Sequence, residues 1–124
     1  MTNRFRTIVI TGLVAGSMLT SSAFAQTPDA DVAGHPRVNE IDQRLENQQT
    51  RINNGINDGQ LNARQAARDE KRDAKISQEL SRDEAKHNGH ITKAEQRKMN
   101  RQLNKNSKKI HHQRKKGEER KITQ

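Results

Sequence analysis

Apolar residues are sparse along this chain, and where they occur they keep helical spacing. Val38, Ile41, Leu45, Ile52 and Ile56 follow one another at intervals of three, four and seven residues. At 100° per residue they share an arc of roughly 60°, with Gln48 and Gln49 filling the gap in the stripe. The spacing predicts a first helix over about 37–57. Pro36 suits the first turn of that helix, because its fixed φ is already helical and its missing N–H is not needed there. Gly55 is its weak point.

Beyond this helix the chain repeats itself. Asn57-Asp58-Gly59-Gln60-Leu61-Asn62-Ala63-Arg64-Gln65 is followed, thirty residues on, by His87-Asn88-Gly89-His90-Ile91-Thr92-Lys93-Ala94-Glu95. The offset also pairs Arg68 with Lys98, Lys71 with Arg101, Lys75 with Lys105 and Leu80 with Ile110. A register held over this many positions describes a duplicated turn-plus-helix unit. The glycines can take the left-handed conformation that ends a helix. Asn62 and Thr92 can cap the next helix with a side-chain oxygen, and Gln65 and Glu95, three residues later, can reach back to complete a capping box. These signals predict a second helix over about 63–87 and a third over about 93–115, each on the order of 35 Å long. The short turns make them antiparallel neighbours.

The expected fold is therefore all-α: three long helices joined by two short Gly-containing turns. It is an extended hairpin or an open bundle, because the core is marginal. Ile76 and Leu80 are the only large apolar residues of the second helix. In the 124-residue chain hydrophobic residues make up 28%, against about 45–50% in ordinary globular domains. Residues 26–36 read as a flexible leader, 37–116 as the helical repeat domain and 117–124 as a flexible tail. Dimerisation along the first helix, in coiled-coil fashion, would supply the burial that one copy lacks.

The first 25 residues have a different character. Arg4 and Arg6 precede an apolar run from Ile8 to Gly16, and Ala23-Phe24-Ala25 offers a small-residue exit before Gln26. Charge, apolar stretch and A-x-A site in this order are those of a bacterial secretory signal. The expected location is periplasmic or secreted, with no membrane-spanning segment after cleavage. The chain has no Cys, so disulfides do not contribute. Phe5 and Phe24 are its only aromatic residues of the Phe, Tyr and Trp set, and both precede the cut.

Charge then separates the helices. Over 37–92 positive and negative side chains balance, whereas 93–116 carries ten Lys or Arg against the single acid Glu95. On a helix, Lys93, Arg97, Lys98, Arg101, Lys105, Lys108 and Lys109 cover an arc of roughly 160°, with Met99, Leu103 and Ile110 on the other side. These seven cations are the candidate anion- or client-binding residues. A nucleic acid fits by charge alone, but no aromatic side chain is left to stack on a base, so sequence-specific reading is not expected.

Other chemistry has little footing. There is no Cys nucleophile, G-x-S-x-G or phosphate loop, and Asp69, Glu70 and Asp73 alternate with Arg68, Lys71 and Arg72 as on a solvated helix face. The turns can be laid on a calcium loop, but Ile56, Gln65 and Lys86 then fall where oxygen ligands belong. His87 with His90, and His111 with His112, are the candidate metal ligands, and they lie at opposite ends of the third helix. Solvated histidines, with no metal and no cofactor, are the expectation, as is the absence of enzymatic activity.

Leu61-Asn62-x-x-Gln65 and, more closely, Ile91-Thr92-Lys93-Ala94-Glu95-Gln96 resemble the L-T-x-x-Q motif of the small periplasmic proteins of the Spy/CpxP group. The likeness covers about residues 59–116 and departs at Asn62, at Glu95 and in the thirty-residue spacing. It implies a cradle-like helical dimer acting as an ATP-independent chaperone or envelope stress-response protein. Its clients would be unfolded or acidic proteins, drawn by the basic face and held on an exposed Ile/Leu stripe. The alternatives are a binder of envelope polyanions and a structural helical module that pairs with a partner protein.

Overall fold

The computed structural model describes residues 34–124; the expected signal segment and most of the leader lie outside them. Three helices follow one another: α1 (Pro36–Asn57), α2 (Ala63–Lys86) and α3 (Lys93–Ile122), with no strand among the described residues. Both predicted capping boxes are formed. The Asn62 Oδ1 accepts from the Gln65 N–H at 2.9 Å while the Asn62 N–H donates to Gln65 Oε1 at 3.0 Å. The Thr92 hydroxyl accepts from the Glu95 N–H at 3.2 Å, and the Thr92 N–H donates to Glu95 Oε2 at 2.8 Å. Each box satisfies helix-start N–H groups that have no partner within the helix.

The turns obey the repeat as well. Gly59 and Gly89 stand at φ +68° and +89°, where a β-carbon would be strained. Their chain reversals let the N–H groups of Gln60 and Gly89 close onto the carbonyls of Gly55 and Glu84 at 2.8 Å each. Leu61 and Ile91, two residues after each glycine, turn inward and are buried.

Every helix packs against the other two, so the bundle is closed rather than open. The inner row of α2 explains how so little apolar material suffices. Its buried positions are Ala66, Asp69, Asp73, Ile76, Leu80 and Asp83, at the three- and four-residue spacing of a packing seam. The core consists of two apolar clusters. The larger joins Val38, Ile41, Leu45, Ile76, Leu80, Ile91, Met99 and Leu103. The smaller joins Ile52, Leu61, Ala66 and Ile110. Between them sit Gln48, Asp69, Asp73 and Asn106, all buried.

Two further details differ from the sequence expectation. Ile56 does not complete the α1 stripe; it is 42% exposed, and Gly55 takes the inward place beneath the Leu61 side chain. Residues 117–122, read as tail, continue α3. Gly117 is buried there against the Gln60 backbone, so the absent side chain lets the helix pass the first turn.

Candidate functional site

The outer face of α3 is the first of two sites. Lys93, Arg97, Lys98, Arg101, Lys105, Lys108 and Lys109 are all exposed. The opposite side of the same helix seats Met99, Leu103 and Ile110, each fully buried. Lys98 is paired with Glu79 of α2. The other six make no ion pair among the described residues. Lys115 and Lys116, also exposed, prolong the row, which over 93–116 runs about 35 Å.

The neighbouring α1–α3 seam adds cations that the sequence reading did not assign to this face. Arg37, Arg44 and Arg51 recur every seven residues along α1 and all reach α3 or its entry. Arg37 donates to the Ile91 carbonyl at 3.3 Å. Arg44 donates to Asn100 Oδ1 and Asn104 Oδ1, and Arg51 to the Ser107 hydroxyl at 2.6 Å. The acceptors they meet on α3 are neutral, so these bonds clasp the two helices without cancelling charge. The heptad spacing of the arginines is the signal that points to the seam.

The apolar stripe expected to hold clients is spent inside the bundle. Among large hydrophobic residues only Ile56 and Ile122 are exposed in the described chain. No helix among the described residues is long and apolar enough to cross a membrane.

His87 and His90 precede α3, whereas His111 and His112 lie within it rather than at its far end, because the helix continues to Ile122. His90 packs against His35, ring centroids 4.2 Å apart and planes 32° from parallel. The pair borders a cleft of about 290 Å3 that Arg37, Val38 and Ile91 also line. His87 meets Glu95 Oε1 at 3.1 Å. His111 and His112 are exposed, about 27 Å along the helix from Lys93. No group of three or more His, Asp or Glu side chains among the described residues is arranged to hold a metal ion.

The second site is the polar layer, and it corrects the reading of α2. Asp69 and Asp73 are not on a solvated face; they point into the core, while Arg68 and Lys71 stay outside. Asn106 of α3 donates to Asp73 Oδ1 at 2.6 Å and to Gln48 Oε1 of α1 at 3.1 Å. Gln48 in turn donates to the Leu103 carbonyl at 3.2 Å. One chain of hydrogen bonds thus joins all three helices. Arg72 pairs with Asp69 Oδ1, and the Oδ2 atoms of both Asp69 and Asp73 are buried with no donor among the described residues.

Burial is the dominant influence on both carboxyls, because the charged form loses its hydration. It pushes Asp73 up to about 7, against the Asn106 hydrogen bond and with help from the nearby Asp69 charge. Asp69 is also raised by burial, with Arg72 opposing. The sequence pattern alone does not reveal a titratable pair in so thin a core. Periodicity counts only apolar residues, and these two aspartates occupy apolar positions.

Comparison with known protein families, with curated proteins and with solved structures finds no match to this chain.

Proposed function

We propose that this chain is a secreted or periplasmic, non-enzymatic binding protein that captures anionic partners on the outer face of α3. The observation that carries the reading is the contrast across one helix. Met99, Leu103 and Ile110 are consumed by the core, whereas Arg97, Arg101, Lys105, Lys108 and Lys109 stand exposed without carboxylate partners among the described residues. Like charges a turn apart weaken a free helix, and an anionic ligand relieves that repulsion. The partners are acidic or unfolded proteins, or envelope polyanions. The face offers charge and reach but no apolar or aromatic grip, which suits fast, salt-sensitive and tolerant capture.

The test is binding of the mature chain to inorganic polyphosphate and to phosphatidylglycerol vesicles, compared with a quadruple variant carrying Glu at 97, 101, 105 and 108. Loss of binding with unchanged helicity supports the reading. Equal binding by the variant overturns it.

A chaperone-like role is the second reading, favoured by the Spy/CpxP-like capping motifs at 61–65 and 91–96. With the Ile/Leu stripe inside the bundle, holding an unfolded client on apolar surface requires the bundle to open. Light scattering of an aggregating denatured enzyme, without ATP, decides this role.

A further inference from the structure

We propose that Asp73 is a proton-operated latch: protonated, it seats α2 in the closed bundle, and ionised, it releases α2 from the α1–α3 pair.

The argument begins with a charge count. The layer holds two carboxyls, Asp69 and Asp73, and one cation within it, Arg72, which is bonded to Asp69. The neighbours from the other helices are neutral amides: Gln48 from α1, and Asn106 and Gln113 from α3. The other leading charges that act on the pair, Arg68 and Glu70, are both on α2 itself. The layer is neutral only when one proton stays on the pair. Oδ2 of both aspartates is buried with no donor among the described residues; Asp73 is the natural holder, since Asp69 is paired with the Arg72 cation whereas the donor to Asp73 Oδ1 is the neutral Asn106 amide. A buried carboxylate with an unsatisfied oxygen is costly, and the cost vanishes if the helix carrying it moves into water.

The way the helices are tied identifies the moving element. α1 and α3 are clasped by Arg37, Arg44 and Arg51, and by Glu40, which accepts from Asn100 at 3.0 Å and from Gln96. Outside the layer, α2 is tied laterally by Glu79 to Lys98 and Gln102 and by Glu70 to Gln49, with only Ala66, Ile76 and Leu80 as apolar anchors. Release of α2 uncovers the inner rows of α1 and α3, the apolar surface that the closed bundle conceals.

The sign follows from linkage. The carboxyl of a released α2 has its ordinary value, 3.8, and that of the closed bundle is about 7. The closed form therefore binds the proton more tightly. Its advantage is complete below the lower value and is lost as pH rises toward the upper one.

The experiment is NMR on the mature chain from pH 4 to 8. It follows the Asp73 carboxyl carbon and the amide protection factors of each helix, corrected for intrinsic exchange. The expected result is an Asp73 midpoint near neutrality. Protection of α2 falls about tenfold per pH unit between roughly 5 and 6, levels above 7, and exceeds any loss in α1 and α3. Asp73→Asn removes this dependence. The difference between the two proteins is the readout, since it isolates the Asp73 carboxyl from every other group. An Asp73 midpoint near that of an ordinary aspartate overturns the latch, and this measurement stands even if the variant fails to fold. Equal loss of protection in all three helices also overturns it.

Discussion

Gly117 lies so close to Gln60 that a β-carbon on it would stand 2.0 Å from the Gln60 carbonyl oxygen. The contact is to backbone, which cannot swing aside as a side-chain tip can. It fixes the far end of α3 against the α1–α2 turn, where Arg114 also donates to Gln60 Oε1 at 2.6 Å and Lys121 donates to the Asp58 carbonyl at 2.5 Å.

Gly117→Ala is therefore expected to destabilise the bundle, although alanine is the better helix former. Overpacking of this kind costs about 1–3 kcal/mol. Urea unfolding of the two proteins at one pH checks it. A variant as stable as the parent would mean that α3 ends before Gly117 in solution.

The two capping boxes carry a second prediction. Removing the side-chain oxygen in Asn62→Ala or Thr92→Ala leaves a helix-start N–H without its partner, at a cost of about 0.5–2 kcal/mol each. The caps share no partner and lie at opposite ends of α2, so the double variant should lose about the sum. Thermal unfolding followed by circular dichroism measures all three. A loss well below the sum would show that the two turns are energetically coupled.

How these features were readable in the sequence depends on what each rests upon. Gly59 and Gly89 end helices by conformational necessity, and Asn62, Gln65, Thr92 and Glu95 bond within four residues of themselves, so local sequence was enough. The burial of Met99, Leu103 and Ile110 followed from apolar spacing. Asp69 and Asp73 did not, because a carboxyl in a core position is recognisable only once Asn106 is known to face it from another helix. The exchange of Ile56 for Gly55 depends on Leu61 needing room at the turn. His35 carries no local signal, because its partner His90 is distant in sequence. Residues 117–122 looked like a tail because a glycine and mixed charges open them; the Gln60 backbone that makes the glycine useful belongs to another element.

The cationic face predicts a salt response. If capture is electrostatic, raising ionic strength from about 0.05 to 0.5 M shortens the screening length severalfold and weakens binding to vesicles or polyphosphate steeply. The Glu-bearing variant described above should show a shallow residual dependence. Isothermal titration across the salt series gives both slopes. Binding that survives 0.5 M salt would shift the contact to the apolar interior and so to an opened bundle.

Glu79 and Leu80 are adjacent on α2 and separate two kinds of contribution. Glu79 pairs with Lys98, whose side chain is 59% exposed, and accepts from Gln102 at 2.9 Å. Solvent screens such a pair, so Glu79→Gln is expected to cost under about 1 kcal/mol. Bonds from Lys98 and Gln102 outweigh burial and hold the Glu79 carboxyl below its ordinary value. The small contribution is thus present above the ordinary carboxylate range and lost as pH falls through the lowered value, opposite in sign to Asp73. Leu80 is 2% exposed within the larger apolar cluster. Leu80→Ala removes its transfer energy and leaves a cavity, about 2–5 kcal/mol. For a domain with so few apolar residues that loss approaches the whole stability. Circular dichroism at 25 °C should therefore show Glu79→Gln folded and Leu80→Ala largely unfolded. Equal stability of the two would mean that the α2 seam is held by its charged contacts rather than by its core.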